Sequence, residues 1–189
     1  MKVAVLDNYD SFTYNLVHAI EKILKQKIDV IRNDQVPVEY FEKYDKIVLS
    51  PGPGIPEEAG ILKPLIKYWA PKKSILGVCL GQQAIGEVFG GTLANLDKVY
   101  HGVATTIIQT VGDEVLFKNI PEIFEAGRYH SWIVNRDGFP GELEVTAIDK
   151  QGQIMGLRHK TFDVKGVQFH PESVLTPLGE QMIENWLNS

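Results

Sequence analysis

The only cysteine of the chain lies in a sequence pattern that is typical of a nucleophile. Cys79 is the single cysteine of the 189-residue chain and lies between Gly77 and Gly81, directly after the apolar run 74–78. Small residues two before and two after a nucleophile permit the sharp strand-to-helix turn that presents a reactive side chain. A helix beginning there would favour a thiolate and would offer the Leu80 N–H to a developing oxyanion. The pattern predicts a cysteine nucleophile, although a lone cysteine is more often a buried structural residue.

A histidine and a glutamate could complete a catalytic group with this thiol. The run 166–169 predicts a short buried strand that Pro171 would end, so His170 is expected at the carboxyl edge of a sheet, where α/β proteins bind ligands. Glu172 could reach back to the imidazole and fix its tautomer, as the third member of a triad does. The alternatives are a satisfied loop histidine or a metal site, but no closely spaced Cys or His pair favours zinc.

The other four histidines are weaker candidates for the base. His18 falls in the middle of the first predicted helix, and His101 and His130 fall in predicted loops. His159 lies near the end of a predicted strand and is interpreted as structural. His170 is therefore the preferred partner of Cys79.

The first half of the chain alternates short apolar runs with amphipathic segments. Strands are predicted at 3–6, 28–31, 47–49 and 74–78, and helices after Asp10 or Ser11 as the cap, at 60–69 and at 82–89. This alternation indicates a parallel sheet with helices on both faces.

The second half is richer in short β-segments and ends in a helix. Strands are predicted at 103–110, 143–148, 154–157 and 166–169, and a helix at 176–187. Some of these strands are expected to be antiparallel at one edge of the sheet. No linker divides the chain, so we expect one domain over residues 1–189.

The composition of the chain bears on whether it binds nucleic acid, enters a membrane or is secreted. The net charge is −5 without a clustered basic face, which gives no reason to expect nucleic-acid binding. No run approaches the ~20 apolar residues of a membrane span, and the first residues lack the pattern of a signal peptide. With a single thiol and no possible internal disulfide, we expect a cytoplasmic protein.

Four motifs together resemble the class-I, triad-type glutamine amidotransferases. They are LSPGPGIPEEAG at 49–60, GVCLGQQAIGEVFGG at 77–91, RYHSW at 128–132 and GVQFHPES at 166–173. The segment DNYDSFTYNL at 7–16 is similar to the small subunits of anthranilate synthase and aminodeoxychorismate synthase. The resemblance implies a flavodoxin-like α/β fold, with a mostly parallel central sheet, helices on both faces and a smaller antiparallel edge.

The resemblance also implies a role for each site residue. Cys79 would form a γ-glutamyl thioester with L-glutamine, His170 would act as base and then acid, and Glu172 would orient it. The residues expected to bind glutamine or its oxyanion are Gly52, Pro53, Gly54, Leu80, Gln83, Ser131 and Trp132. Trp132 departs from the smaller aliphatic residue of many relatives, so only a backbone role is expected there. No metal or cofactor is expected in this chain.

A second chain is expected to use the ammonia. The resemblance implies a chorismate-binding large subunit, component I of anthranilate synthase or of aminodeoxychorismate synthase, with Mg²⁺ bound in that partner. Shielding ammonia from water requires an interface over Cys79, for which we expect the loops at Asp10–Ser11, Gly54–Glu58 and His101–Gly102.

The tryptophan pathway is our preferred reading, and three alternatives remain open at the level of sequence. The chain could instead serve aminodeoxychorismate synthase in folate synthesis. It could be a cysteine peptidase or γ-glutamyl hydrolase on a similar fold. It could also be a binding module without activity, although Cys79, His170 and Glu172 are all present.

Overall fold

A nine-stranded sheet runs through the middle of the molecule in the computed structural model, which describes residues 1–189. The strands are β1 Val3–Asp7, β2 Asp29–Arg32, β3 Lys46–Leu49, β4 Ser74–Val78, β5 Leu93–Asn95, β6 Val103–Gln109, β7 Ile123–Arg128, β8 Trp132–Val134, β9 Leu143–Asp149, β10 Ile154–His159 and β11 Val164–Val167. The α-helices are α1 Thr13–Leu24, α2 Leu62–Trp69, α3 Leu80–Val88 and α4 Gly179–Leu187.

The sheet has a parallel part and an antiparallel edge, as the sequence predicted. Strands β2-β1-β3-β4-β11 are parallel in this order, which is the flavodoxin-like arrangement. Strands β10, β9, β6 and β7 continue the sheet in antiparallel pairs. Strands β5 and β8 form a separate two-stranded sheet.

Strand alternation sends apolar side chains into two cores. Val3 and Val5 of β1 join the core that includes residues of α1 and α4, whereas Ala4 and Leu6 join the core that includes residues of α2 and α3. Because successive side chains point to opposite faces, a strand covered by helices on both sides must be apolar at nearly every position. This burial explains the continuous apolar runs of the first half.

Several predicted boundaries differ from the observed ones. Helix α1 begins at Thr13 and has no side-chain cap, because the Asp10 carboxylate accepts the N–H of Phe12, which precedes the helix. Helix α4 begins at 179 rather than 176, since residues 173–179 first form successive turns. Strands β5, β7 and β8 were not predicted. No α-helix of the chain has the length and hydropathy needed to span a membrane.

Candidate active site

Four segments meet where the parallel strands end. Asn8 follows β1, Ser50 follows β3, Cys79 follows β4, and residues 168–170 follow β11. The carboxyl ends of parallel strands lie at one edge of the sheet, and the crevice there is the usual ligand site of open α/β folds. The topology therefore gathers into one place residues that are up to 162 positions apart (170 − 8).

Cys79 lies on a strained strand-to-helix turn. Its backbone has φ 54° and ψ −101°, and helix α3 begins at the next residue. A Cβ on Gly77 would lie 2.5 Å from the Gly81 carbonyl carbon, and a Cβ on Gly81 would lie 2.7 Å from the Leu49 oxygen. Both glycines are therefore required by close backbone approach, and a non-glycine residue with positive φ at such a turn is typical of a functional site.

His170 and Glu172 form a buried pair beside the sulfur. The Nδ1 of His170 lies 2.7 Å from a Glu172 carboxylate oxygen, and the two side chains are 2% and 0% exposed. Burial disfavours the charged imidazole, but its interactions with Cys79 and Glu172 outweigh burial and raise the pKa of His170 to about 10. The Nε2 atom of this ring makes no well-aligned hydrogen bond within the protein.

Two aromatic rings cover the imidazole. The Phe12 ring packs edge-on against His170 with centroids 5.5 Å apart, and the Tyr129 ring does so at 4.8 Å. Tyr129 is itself held by a 3.0 Å hydrogen bond between its hydroxyl and that of Ser173. These contacts help to bury the imidazole, and His170 is only 1% exposed.

A cavity of about 210 Å³ opens over the sulfur. Its lining residues are Gly52, Pro53, Gly54, Cys79, Gln83, Val99, Tyr100, His101, Tyr129, His130, Ser131 and Trp132. A larger surface hollow of about 500 Å³ near Lys63 and Glu87 contains neither cysteine nor histidine. The smaller cavity is therefore the one that can present a ligand to the nucleophile.

Two backbone N–H groups are unused on either side of this nucleophile. Neither Gly52 nor Leu80 donates its N–H within the protein. A Cβ on Gly52 would lie 2.6 Å from Leu80 Cδ2 and 2.7 Å from Asn8 Cβ, so only glycine allows this turn to approach so closely. Free N–H groups near a nucleophile can stabilise an oxyanion.

Asn8 holds the start of the Pro-Gly-Pro-Gly turn at residues 51–54 through hydrogen bonds to Ser50. The Asn8 Nδ2 donates to the Ser50 carbonyl at 2.9 Å, and the Asn8 backbone N–H donates to the Ser50 hydroxyl at 2.8 Å. Asn33 in turn donates to the Asn8 side-chain oxygen at 3.0 Å. These bonds connect the ends of β1 and β3 and fix the position of Gly52.

The carbonyl of Trp132 is a fixed point on the opposite wall. Gln83 Nε2 donates to it at 2.8 Å, and His130 Nδ1 lies 3.0 Å from it. Gln83 Nε2 also donates to Gln168 Oε1 at 3.2 Å, so its own Oε1 remains as a free acceptor on the cavity wall. The Ser131 carbonyl is likewise occupied, by the Leu96 N–H at 2.7 Å.

His130 is held neutral beside this wall. The Arg128 guanidinium donates from Nε to His130 Nε2 at 3.1 Å, so the ring proton must lie on Nδ1, facing the Trp132 carbonyl. Burial, followed by the charge of Arg128, lowers the pKa of His130 to about 3. Arg128 is paired in turn with Asp149 at 2.7 Å, with both side chains buried.

The sequence matches the family model of glutamine amidotransferase class-I over residues 4–189. The chain belongs to the class-I glutamine amidotransferases. We therefore compare the arrangement of Cys79, His170 and Glu172 with what a cysteine-based release of ammonia from glutamine requires.

Curated relatives are similar over nearly the whole chain. Anthranilate synthase component 2 of Pseudomonas aeruginosa is 45% identical over 97% of this chain and 93% of its own length. Aminodeoxychorismate/anthranilate synthase component 2 of Bacillus subtilis is 41% identical over 99% of this chain and 96% of its own. The chain spans only 32% of a bifunctional relative from Thermotoga maritima, to which it is 44% identical.

A solved structure shares the fold. The crystal structure of a Thermoplasma acidophilum protein, described as part of a GMP synthase, matches with a TM-score of 0.87 over 100% of this chain and 92% of that chain. Their sequence identity is 24%. The predicted flavodoxin-like amidotransferase fold, mostly parallel with an antiparallel edge, is confirmed.

The structure brings together the residues that the sequence singled out for this amidotransferase. Cys79, His170 and Glu172 are adjacent, and Gly52, Pro53, Gly54, Gln83, Ser131 and Trp132 line the cavity. Leu80 lies at the start of α3 with its N–H free. The Trp132 carbonyl already has two partners, whereas the Ser131 carbonyl has one and can still accept a second hydrogen bond. The chemical roles of these residues remain predictions.

Sequence reasoning missed several residues of the site, among them His130, Asn8 and Gln168. His130 does lie in a loop, as predicted, but it is buried on the cavity wall rather than incidental. Asn8 and Gln168 were not considered, although both are polar residues next to apolar strand segments. The position of Asn8 next to a buried strand was a signal for that residue, whereas Gln168 falls inside the predicted strand 166–169 and carried no such signal.

Proposed function

We propose that this amidotransferase is the glutaminase subunit of anthranilate synthase, releasing ammonia from L-glutamine for a chorismate-using partner in tryptophan biosynthesis. The observation that carries the proposal is Cys79 on its strained turn with the His170–Glu172 pair beside it. Similarity to anthranilate synthase component 2 of Pseudomonas aeruginosa supports the choice of pathway.

The reaction follows from the groups around the sulfur. The Cys79 thiolate attacks the side-chain amide carbon of glutamine while the N–H groups of Gly52 and Leu80 bind the oxyanion. Protonated His170 gives its proton to the departing nitrogen, and ammonia leaves a γ-glutamyl thioester. His170 then takes a proton from water, which attacks the thioester, and collapse of this adduct expels the Cys79 thiolate beside protonated His170. The new γ-carboxyl group of glutamate gives its proton to solvent.

Glu172 and the aromatic cover assist these proton transfers. The Glu172 carboxylate stabilises the imidazolium and fixes its orientation. Phe12 and Tyr129 hold the ring in its orientation by edge-on packing. Each step uses side chains and backbone of this chain, and we expect Mg²⁺ to act in the partner subunit rather than here.

A large subunit is expected to cover the mouth of the cavity. Gly54 and His101 line this mouth, and the Asp10 carboxylate lies near enough to His170 and Glu172 to interact with them. Ammonia that escaped into water would be protonated and lost as a nucleophile. We therefore expect the partner to dock on the loops at Asp10–Ser11, Gly54–Glu58 and His101–Gly102, in the cytoplasm.

Aminodeoxychorismate synthase is the second candidate, favoured by one specific similarity. The Bacillus subtilis relative carries both activities in its description. Purifying the chain with its natural large subunit and identifying the aromatic product would separate anthranilate from aminodeoxychorismate.

A covalent probe tests the chemistry itself. A glutamine analogue with an electrophilic carbon should attach to Cys79, the single cysteine, and mass spectrometry should find one adduct. In the complex, Cys79→Ser should abolish glutamine-dependent synthesis and spare synthesis from added ammonia. Retained glutamine-dependent synthesis in that variant would refute the proposal, as would rapid hydrolysis of peptides by the chain alone.

A further inference from the structure

A buried glutamine contacts the nucleophile directly. Gln168 Nε2 lies 3.4 Å from Cys79 Sγ, which is the one side-chain hydrogen bond made to the sulfur. The Gln168 side chain is inaccessible to solvent, and its backbone N–H is fixed by the Met155 carbonyl of β10 at 2.9 Å. The mechanism above leaves this contact unused.

The direction of the Gln168 amide is determined by a backbone carbonyl. The Trp132 oxygen can only accept, so the Gln83 group facing it at 2.8 Å must be the NH₂. The same NH₂ faces one atom of the Gln168 amide at 3.2 Å, and that atom must therefore be the oxygen. The Gln168 NH₂ is then left to face Sγ, so the sulfur receives a donor and not an acceptor.

We propose that Gln168 is a further catalytic residue, whose side-chain N–H holds the Cys79 sulfur and stabilises its thiolate form. The inference deepens the proposed function and rests on Cys79 being the nucleophile. A hydrogen-bond donor favours the charged form of its acceptor, and burial strengthens such a bond. Because the amide carries no charge, it stabilises the thiolate without competing with His170 for the proton.

Alkylation of the sulfur tests this role in the full chain without partner or substrate. Iodoacetamide reacts with the thiolate, and Cys79 is the only cysteine, so the rate as a function of pH reports on one group. Gln168→Met keeps an unbranched side chain of similar length but removes the N–H. We expect the pH of half-maximal alkylation rate to rise by about one pH unit.

Gln82→Met is the matched control. Gln82 is also inaccessible to solvent, lies in the first turn of α3 and packs against Gly166, but neither end of its amide makes a hydrogen bond. We expect its alkylation profile to equal that of the unmodified sequence. An unchanged profile for Gln168→Met, or an equal shift for Gln82→Met, would overturn the inference.

A second substitution serves if Gln168→Met does not fold, as judged by circular dichroism. Gln168→Glu keeps the acceptor for Gln83 but turns a carboxyl oxygen toward the sulfur. We expect an upward shift larger than one pH unit, and an unshifted profile would overturn the proposal. If the profile shifts but the glutamine analogue fails to label Cys79, the proposed function falls, and Gln168 is left as a residue that stabilises the thiolate without a catalytic role.

Discussion

Arg128 Nε donates to His130 Nε2 at 3.1 Å where both side chains are buried. A cation that donates to an imidazole leaves no place for a second ring proton. The arrangement explains why the pKa of His130 falls to about 3, with burial as the larger cause. His130 and His170, both beside the same cavity, are therefore displaced in opposite directions from the ordinary histidine value of 6.5.

The first prediction concerns acid stability. Unfolding restores the ordinary pKa of His130, so between about pH 6.5 and about pH 3 the unfolded chain binds the extra proton and stability falls as pH falls. His130→Asn should remove up to about 1.4 kcal/mol per pH unit of this dependence. Urea unfolding at about pH 6.5 and about pH 5 measures this change in the free energy of unfolding. His18→Asn, on the exposed face of α1, should leave the slope unchanged, and an equal slope in both variants would contradict the prediction.

The second prediction concerns the alkaline side. The pKa of His170 is raised, so the stability it contributes is complete below about pH 6.5 and is lost as pH rises through about 10. Glu172→Gln removes the charge that supports the imidazolium and should destabilise the fold by about 1–2 kcal/mol near pH 6. The loss should be smaller near pH 10, where about half of the rings have lost the second proton. The free energy of unfolding of Glu172→Gln is to be measured near pH 6 and near pH 10, with the exposed Glu184→Gln as the control. A loss of stability that does not depend on pH would contradict the charge interaction between His170 and Glu172.

The third prediction concerns the turn that carries Cys79. Gly81→Ala places a methyl group 2.7 Å from the Leu49 oxygen, so the start of α3 must move away from β3. We expect a loss of stability of about 1–3 kcal/mol together with slower labelling of the sulfur. The control is Gly141→Ala, whose added methyl group meets nothing within 4 Å. Chemical denaturation compares the two, and equal stabilities would show that the close approach is not required.

The fourth prediction concerns the Gly52 turn. Asn8→Ala removes the bond to the Ser50 carbonyl and should let the Gly52 N–H drift from the oxyanion position. We expect kcat for glutamine to fall on the order of tenfold or more while KM changes little, because an oxyanion donor acts mainly in the transition state. Asn15→Ala on the exposed side of α1 is the control. A rise in KM with unchanged kcat would assign Asn8 to substrate binding instead.

The parallel half of the fold was predictable because its signals are local. The apolar run before Cys79 and the glycines on either side of it determine a strand, a turn and a helix within about 15 residues, and the structure contains all three. The strand before His170 was predicted at 166–169, but β11 spans Val164–Val167 and ends before Pro171 is reached. Each of these inferences used neighbours in sequence only.

The rest depended on contacts between distant segments. Strand β7 reads as Ile-Phe-Glu-Ala-Gly-Arg, and its buried Arg128 is stabilised by Asp149, which no local pattern could have paired with it. Gln168 breaks an apolar run, and its role depends on Gln83, 85 positions away. Polar residues inside a sheet are informative only when their partners are known.

Cys79 and His170 follow the neighbouring parallel strands β4 and β11, but the segment that carries His170 is also attached to the antiparallel edge. Cys79 follows β4 within the parallel half, whereas the His170 N–H donates to the Gly127 carbonyl of β7 at 2.9 Å. The Thr176 hydroxyl closes the link by donating to the His170 carbonyl at 2.6 Å and accepting the Gly127 N–H at 3.0 Å. The antiparallel strand β7 thus helps to fix the position of His170. A protein trimmed to its parallel strands would keep the cysteine turn and lose these attachments of the histidine.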